Sequence, residues 1–122
     1  MIVLDTDIFI DFLRGVDTAI NFFKENNDKI AFSAITESEL LSGEVCNNKN
    51  ERSNLIHFLA QFNKIEVDNP LAQIAGDVRR EFGLEVPDAI IAASAMIIDA
   101  QLVTRNTKHF ENIKGLEVRK PY

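Results

Sequence analysis

Cysteine is nearly absent: Cys46 stands alone among 122 residues. No disulfide framework can form, so a reducing cytoplasm is the expected compartment. Positive charge is scarce as well. Lys and Arg number 13 against 19 Asp and Glu, a formal charge of −6, which excludes a protein that coats nucleic acid by charge alone. It leaves room for an enzyme whose acids gather in one cleft around a metal. With five Gly and three Pro, no Gly, Pro or Ser tract marks a linker, and no repeat or low-complexity segment occurs. No basic segment precedes the apolar start, and Asp5 interrupts that start too early for a signal peptide. The most apolar stretch, residues 86–98, carries Asp88 and is shorter than the about 20 residues a bilayer span requires. The chain is therefore read as one soluble domain, residues 1–122, with no membrane partner. Its 46% hydrophobic content suffices for a true core at this length.

What the chain does have is a repeated change of period. Ile2-Val3-Leu4 is apolar on both faces, as a strand covered on both sides is, and leads straight into Asp5. From Thr6 onward Ile8, Phe9, Phe12 and Leu13 recur at helical spacing until Arg14-Gly15. Asp5 thus falls where a central strand ends and a helix begins, the edge at which open α/β sheets bind ligands. An N-cap role would satisfy it equally. A helix capped by Asp17 or Thr18 frays at Asn26-Asn27-Asp28. Ile30-Ala31-Phe32 reads as a second strand, followed at once by a helix over 33–43, with capping-box spacing for Ser33 and Thr36 or for Thr36 and Glu39.

Residues 46–54 are polar and Asn-rich, which predicts a mobile loop. Leu55, Phe58, Leu59 and Phe62 predict an amphipathic helix, and Ile65-Glu66-Val67 a peripheral third strand. Leu71, Ile74, Ala75, Val78 and Phe82 stripe a helix opened by Pro70 and closed by Gly83. Residues 86–98 are apolar nearly all round and predict a buried helix with Asp88 near its start. Residues 101–104 read as an interior fourth strand just before Asn106. Leu116-Glu117-Val118 reads as an edge strand, with Pro121 ending its pairing. Strands alternating with helices predict an α/β three-layer sandwich: a central parallel sheet of four or five strands, flanked by helices through right-handed crossovers.

Four polar residues share one geometry in that arrangement. Asp5 and Asn106 follow strands, Glu39 lies one turn into a helix that follows a strand, and Asp88 opens a buried helix. Parallel strands would crowd the first three at one carboxyl edge, with Asp88 facing them. Three carboxylates there would repel and raise one another's pKa unless a cation sat among them. Oxygen-only ligands suit a hard ion such as Mg²⁺ or Mn²⁺ rather than zinc. Such an ion in an acidic cleft points to phosphoryl chemistry.

Leu-Asp-Thr-Asp (4–7), Ser33-Ala-Ile-Thr36-x-x-Glu39-Leu40-x-x-Gly43, Asp88-Ala-Ile-Ile-Ala-Ala-Ser-Ala95 and Leu102-Val-Thr-Arg-Asn-Thr-Lys-His-Phe110 together resemble the PIN-domain family. They are most similar to the VapC-type toxins of bacterial and archaeal toxin–antitoxin pairs, in order and over essentially the whole chain. The resemblance implies a metal-dependent endoribonuclease in which metal-activated water cleaves an RNA phosphodiester. It implies Asp5, Glu39 and Asp88 as catalytic acids, with Asp5, Asp88 and Asn106 holding Mg²⁺ (or Mn²⁺) and Glu39 ligating or orienting the water. Asn106 stands where many relatives carry Asp, so one negative charge is missing and a second metal is disfavoured. Thr6 and Thr104 match small polar positions lining the site, and Arg105 and Lys108 are the candidates to hold flanking phosphates. Asp7 reads as a helix-start acid facing solvent, His109 as a packing or surface residue, and His57 receives no role. RNA, a small antitoxin that places a basic side chain in the cleft, and a second copy of the chain are the implied partners.

Asp5-Thr6-Asp7 after a strand also resembles the nucleophile motif of haloacid-dehalogenase-like phosphatases, but residues 86–95 contain no Lys for that chemistry. A phosphoryl-receiver domain would want a phospho-accepting Asp after a mid-chain strand, where Ser33 stands. A degenerate PIN module that binds RNA or protein without cutting is the remaining alternative, favoured by Asn106 and opposed by the three acids.

Overall fold

In the computed structural model, which describes residues 1–122, the apolar triplet Ile2-Val3-Leu4 forms β1 (Ile2–Leu4) and is buried throughout. The other strands are β2 (Ile30–Ser33), β3 (Asn63–Ile65), β4 (Gln101–Val103) and β5 (Val118–Arg119). They make one sheet of order β3-β2-β1-β4-β5 in which every pairing is parallel. The helices are α1 (Thr6–Leu13), α2 (Asp17–Asn26), α3 (Ala34–Leu41), α4 (Lys49–Leu59), α5 (Asn69–Phe82), α6 (Val86–Ile97) and the short α7 (Thr107–Phe110). This is the three-layer α/β sandwich, at the higher of the two expected strand counts. No helix is long and apolar enough to cross a membrane.

The chain moves outward from β1 to β2 and β3, then returns past β1 to β4 and β5. That reversal creates a switch point between β1 and β4, where open parallel sheets leave a crevice beyond their carboxyl ends. It also sends the two sets of crossovers to opposite faces, as right-handed connections require. Side-chain alternation along the strands follows suit. Ile2, Leu4, Ile30, Phe32 and Val103 face a core with Ile8, Phe9, Phe22, Phe23, Leu55 and Leu59 from α1, α2 and α4. Val3, Ala31 and Leu102 face the opposite core, made with α5, α6 and Phe110.

Several local expectations shift, each for a physical reason. Residues 46–54 are not a loop: a 3₁₀ turn (Glu44–Asn47) runs into α4, because the Asn48 side chain accepts hydrogen bonds from the N–H groups of Asn50 and Glu51. The asparagines there cap a helix rather than loosen the chain. α4 stops at Leu59, leaving Phe62 in the following turn. β3 lies two residues earlier than expected, since the exposed Asn63 and Lys64 pair with β2 through backbone alone. β5 begins at Val118, while Leu116 is buried in the core. Val16, not Asp17 or Thr18, occupies the N-cap of α2, and Asp17 sits in its first turn where the helix dipole favours an acid. Gly83 ends α5 with a φ of 71°, as expected of a left-handed cap.

Candidate active site

Asp5 leaves β1 and caps α1. Its Oδ1 accepts the N–H of Thr6 at 2.8 Å, and its Oδ2 accepts the hydroxyl of Thr104 at 2.7 Å. Cap and site residue are the same carboxylate. It is only 7% exposed, and burial pushes its carboxyl up to about 6; the Thr104 bond opposes this, the charges of Asp7 and Asp88 add to it, and the Thr6 N–H opposes it. Thr104 also accepts the backbone N–H of Asn106 at 3.0 Å, so one hydroxyl ties the end of β1 to the loop after β4.

Glu39 comes to the same place through a chain of hydroxyls. Thr6 Oγ1 donates to Glu39 Oε1 at 2.7 Å and lies 2.9 Å from Thr36 Oγ1, which is left to donate to it. Ser33, by contrast, caps α3 by accepting the N–H of Ile35. Neither capping-box pairing forms: Thr36 is buried inward toward α1, and Glu39 reaches Thr6 instead of a helix end. Thr6 lines the site as expected; Thr104, expected to line it too, is instead fully buried behind Asp5, and both hydroxyls are spent on the site's acids.

Asp88 stands in the first turn of α6, after Pro87. Its carboxyl is raised mainly by burial, against the pull of His109, with Asp7 and Glu85 adding repulsion. His109 Nδ1 lies 3.7 Å from Asp88 Oδ2 and 3.0 Å from Asn106 Nδ2. With Nδ1 unprotonated, the imidazole accepts from that amide and leaves the Asn106 carbonyl oxygen free; with Nδ1 protonated, it faces Asp88 instead. Asp5, Thr6, Asp7, Glu39, Ser42, Asp88, Asn106 and His109 all line one open cavity of about 410 Å³. A second cavity of about 510 Å³ adjoins it across Asp88 and His109 and contains Lys108.

His109 is exposed and Asp7 half-exposed, as their sequence context suggests, and both also line the cleft. Arg105 lies elsewhere: its Nε is 3.0 Å from Asp11 Oδ2 and its Nη2 3.8 Å from Asp7 Oδ2. Asp11, 8% exposed, also accepts the hydroxyl of Tyr122. Sequence reasoning passed over both Asp11 and Tyr122. The available signal was Asp11 itself, one turn beyond Asp7 and out of place between apolar residues. His57 is exposed and bonds only the carbonyl of Ser53.

The donor set tests what the cleft can hold. It is all oxygen apart from one imidazole, and two of its carboxyls resist ionisation while no cation is near. No three of its acids and histidines close on one point as a ligand cage. That pattern suits a hard ion such as Mg²⁺, which uses one or two carboxylates and keeps several waters, better than zinc, which wants a closed tetrahedral set.

An acid-lined cleft at the switch point of a parallel α/β sandwich is the class that fold and site define. The chain belongs to the PIN-domain family, whose model matches residues 2–116. It is 32% identical over 125 aligned residues to the ribonuclease VapC19 of Mycobacterium tuberculosis (strain ATCC 25618 / H37Rv), with 96% of this chain and 98% of that one covered. Among solved structures it is similar to a toxin–antitoxin complex from Klebsiella pneumoniae, with 33% identity, a TM-score of 0.86, and 100% of this chain and 98% of that one covered. It is also similar to VapBC2 from Rickettsia felis bound to a DNA fragment from their promoter, with 27% identity, a TM-score of 0.82 and 98% of each chain covered.

Proposed function

We propose that this chain is a Mg²⁺- or Mn²⁺-dependent endoribonuclease and the toxin of a toxin–antitoxin pair. The observation that carries the reading is the cavity shared by Asp5, Glu39, Asp88 and Asn106 at the β1/β4 switch point. The named ribonuclease relative and the toxin–antitoxin neighbours support it. Asp5, Asp88 and the amide oxygen of Asn106 would hold the ion. When bound, that ion offsets the carboxylate repulsion, orients a phosphodiester and makes a coordinated water more acidic.

The chain's own residues do the rest. Glu39 is anchored through one oxygen to Thr6, and its other oxygen is free to accept a proton from the attacking water. Thr104 holds Asp5 in place for ligation, and Thr6 holds Glu39. Lys108, in the adjoining cavity, meets a flanking phosphate of the RNA. The 3′-oxygen leaves as water attacks the phosphorus in line. The partners are RNA, a small antitoxin whose basic side chain suits a cleft of this charge, and a second copy of the chain.

The test is cleavage of a structured RNA titrated with Mg²⁺ or Mn²⁺, with EDTA and an Asp5→Asn variant as controls. Cleavage that requires the ion and vanishes in the variant supports the proposal. RNA binding without cleavage at any metal concentration would replace it with the non-cutting PIN module, which Asn106 favours.

A further inference from the structure

Arg105 is the one cation paired with Asp7, and it is not free. Asp11 holds its Nε at 3.0 Å, and the same Asp11 oxygen accepts the hydroxyl of Tyr122. A carboxylate this far out of water, with two donors on one oxygen, fixes whatever it holds. The guanidinium therefore stands over α1 as a set piece, bridging Asp11 and the half-exposed Asp7 one turn earlier. The residues on either side of Arg105 belong to the cleft: Thr104 bonds Asp5, and Asn106 lines the cavity. Asp7 lines that cavity too, and its charge pushes up both Asp5 and Asp88.

We propose that Arg105, anchored by Asp11 and Tyr122, is a positioning residue: a fixed counter-ion that holds Asp7 back from the cation shared by Asp5 and Asp88, and not a contact for RNA phosphates. The proposal rests on the metal-dependent cleavage argued above. An unpaired Asp7 would offer the ion a further anionic oxygen. A further carboxylate would tighten binding of the ion and alter the ligand set that Asp5 and Asp88 would provide for cleavage. Affinity and turnover would change in opposite directions, and the gain in affinity would require Asp7, which sets it apart from the mere loss of a nearby positive charge.

The experiment measures Mn²⁺ binding by calorimetry without RNA, and kcat and KM for RNA cleavage, in wild type, R105Q, D7N, R105Q/D7N and Y122F. R105Q is expected to bind Mn²⁺ about threefold to tenfold more tightly, the scale of one charge removed beside the site, with a lower kcat and a smaller change in KM. In R105Q/D7N the affinity returns to that of D7N. Y122F, which keeps every charge, shifts in the same direction by less, and it decides the matter if R105Q does not fold. A raised KM at unchanged Mn²⁺ affinity makes Arg105 a phosphate anchor and overturns the proposal. A lower thermal midpoint with affinity and kcat unchanged overturns it as well. Wild type that binds Mn²⁺ but cuts no RNA refutes the nuclease reading alone, leaving the affinities to judge Arg105. Wild type that binds no Mn²⁺ refutes both.

Discussion

The two faces of the sheet are built from opposite materials. On one, Phe9 sits fully buried with its ring edge-on to Phe23, Phe32, Phe58 and Phe62 at centroid distances of 5.4 to 6.3 Å. On the other, α6 presents Ala89, Ala92, Ala93, Ser94 and Ala95, all buried. Large rings fill the space between helices and sheet and add edge-to-face attraction. Small residues instead let the α6 backbone lie close to the strands, so that Asp88 comes within reach of the cleft. The aromatic face supplies stability and the alanine face sets where an acid stands.

The largest effect belongs to the cleft where the two faces meet. Asp5→Asn is expected to slow ion-dependent cleavage by about a thousandfold or more, measured in single-turnover assays, with circular dichroism unchanged. On the aromatic face, Phe9→Ala should cost about 3–5 kcal/mol in urea denaturation while sparing the cleavage rate per folded molecule. If that rate falls as well, the division of labour between the faces is wrong.

Asp5 also links the cleft to pH. Its carboxyl is raised from the ordinary 3.8 to about 6, so the folded chain binds this proton more tightly than the unfolded one. Ion-free stability should therefore fall as pH rises from about 4 through 6 and level off above, by roughly 3 kcal/mol from this group. Urea melts in EDTA across that range check the slope, which Asp5→Asn should remove.

On the alanine face, Ala92→Val, one turn beyond Asp88 on the same stripe, should cost about 1–3 kcal/mol by overpacking. It should also lower cleavage per folded molecule, because α6 must move outward. Unimpaired cleavage would show that close approach does not set Asp88. The smallest effect is Asn48→Ala, at the exposed start of α4, at about 1 kcal/mol for a lost cap, with cleavage unchanged.

Those same contrasts govern what could be read from sequence. β1, β2 and β4 were legible because each centres on buried apolar residues and stops at a polar one. Asp5, Glu39, Asp88 and Asn106 came with them, since each is placed by local chain geometry and a parallel sheet gathers such positions at one edge. β3 and β5 were misplaced because edge strands pair through backbone, which leaves no apolar pattern. Residues 46–54 were misread because asparagine signals both loop and cap, and only the bonds of Asn48 separate the two. The grouping of Arg105 with Asp11 and Tyr122, and the place of His109 against Asp88, join residues far apart along the chain. No spacing rule reaches them.

Asp5 ends a strand, starts a helix and receives a hydroxyl from the strand alongside, all while facing the cleft. Ionising it with no cation present strains three elements at once, so occupancy of the cleft should be felt as rigidity through the centre of the molecule. If the proposed ion binds there, the ion-free chain is expected to be the form more exposed to proteolysis, so that ion supply would bear on lifetime as well as on the proposed activity.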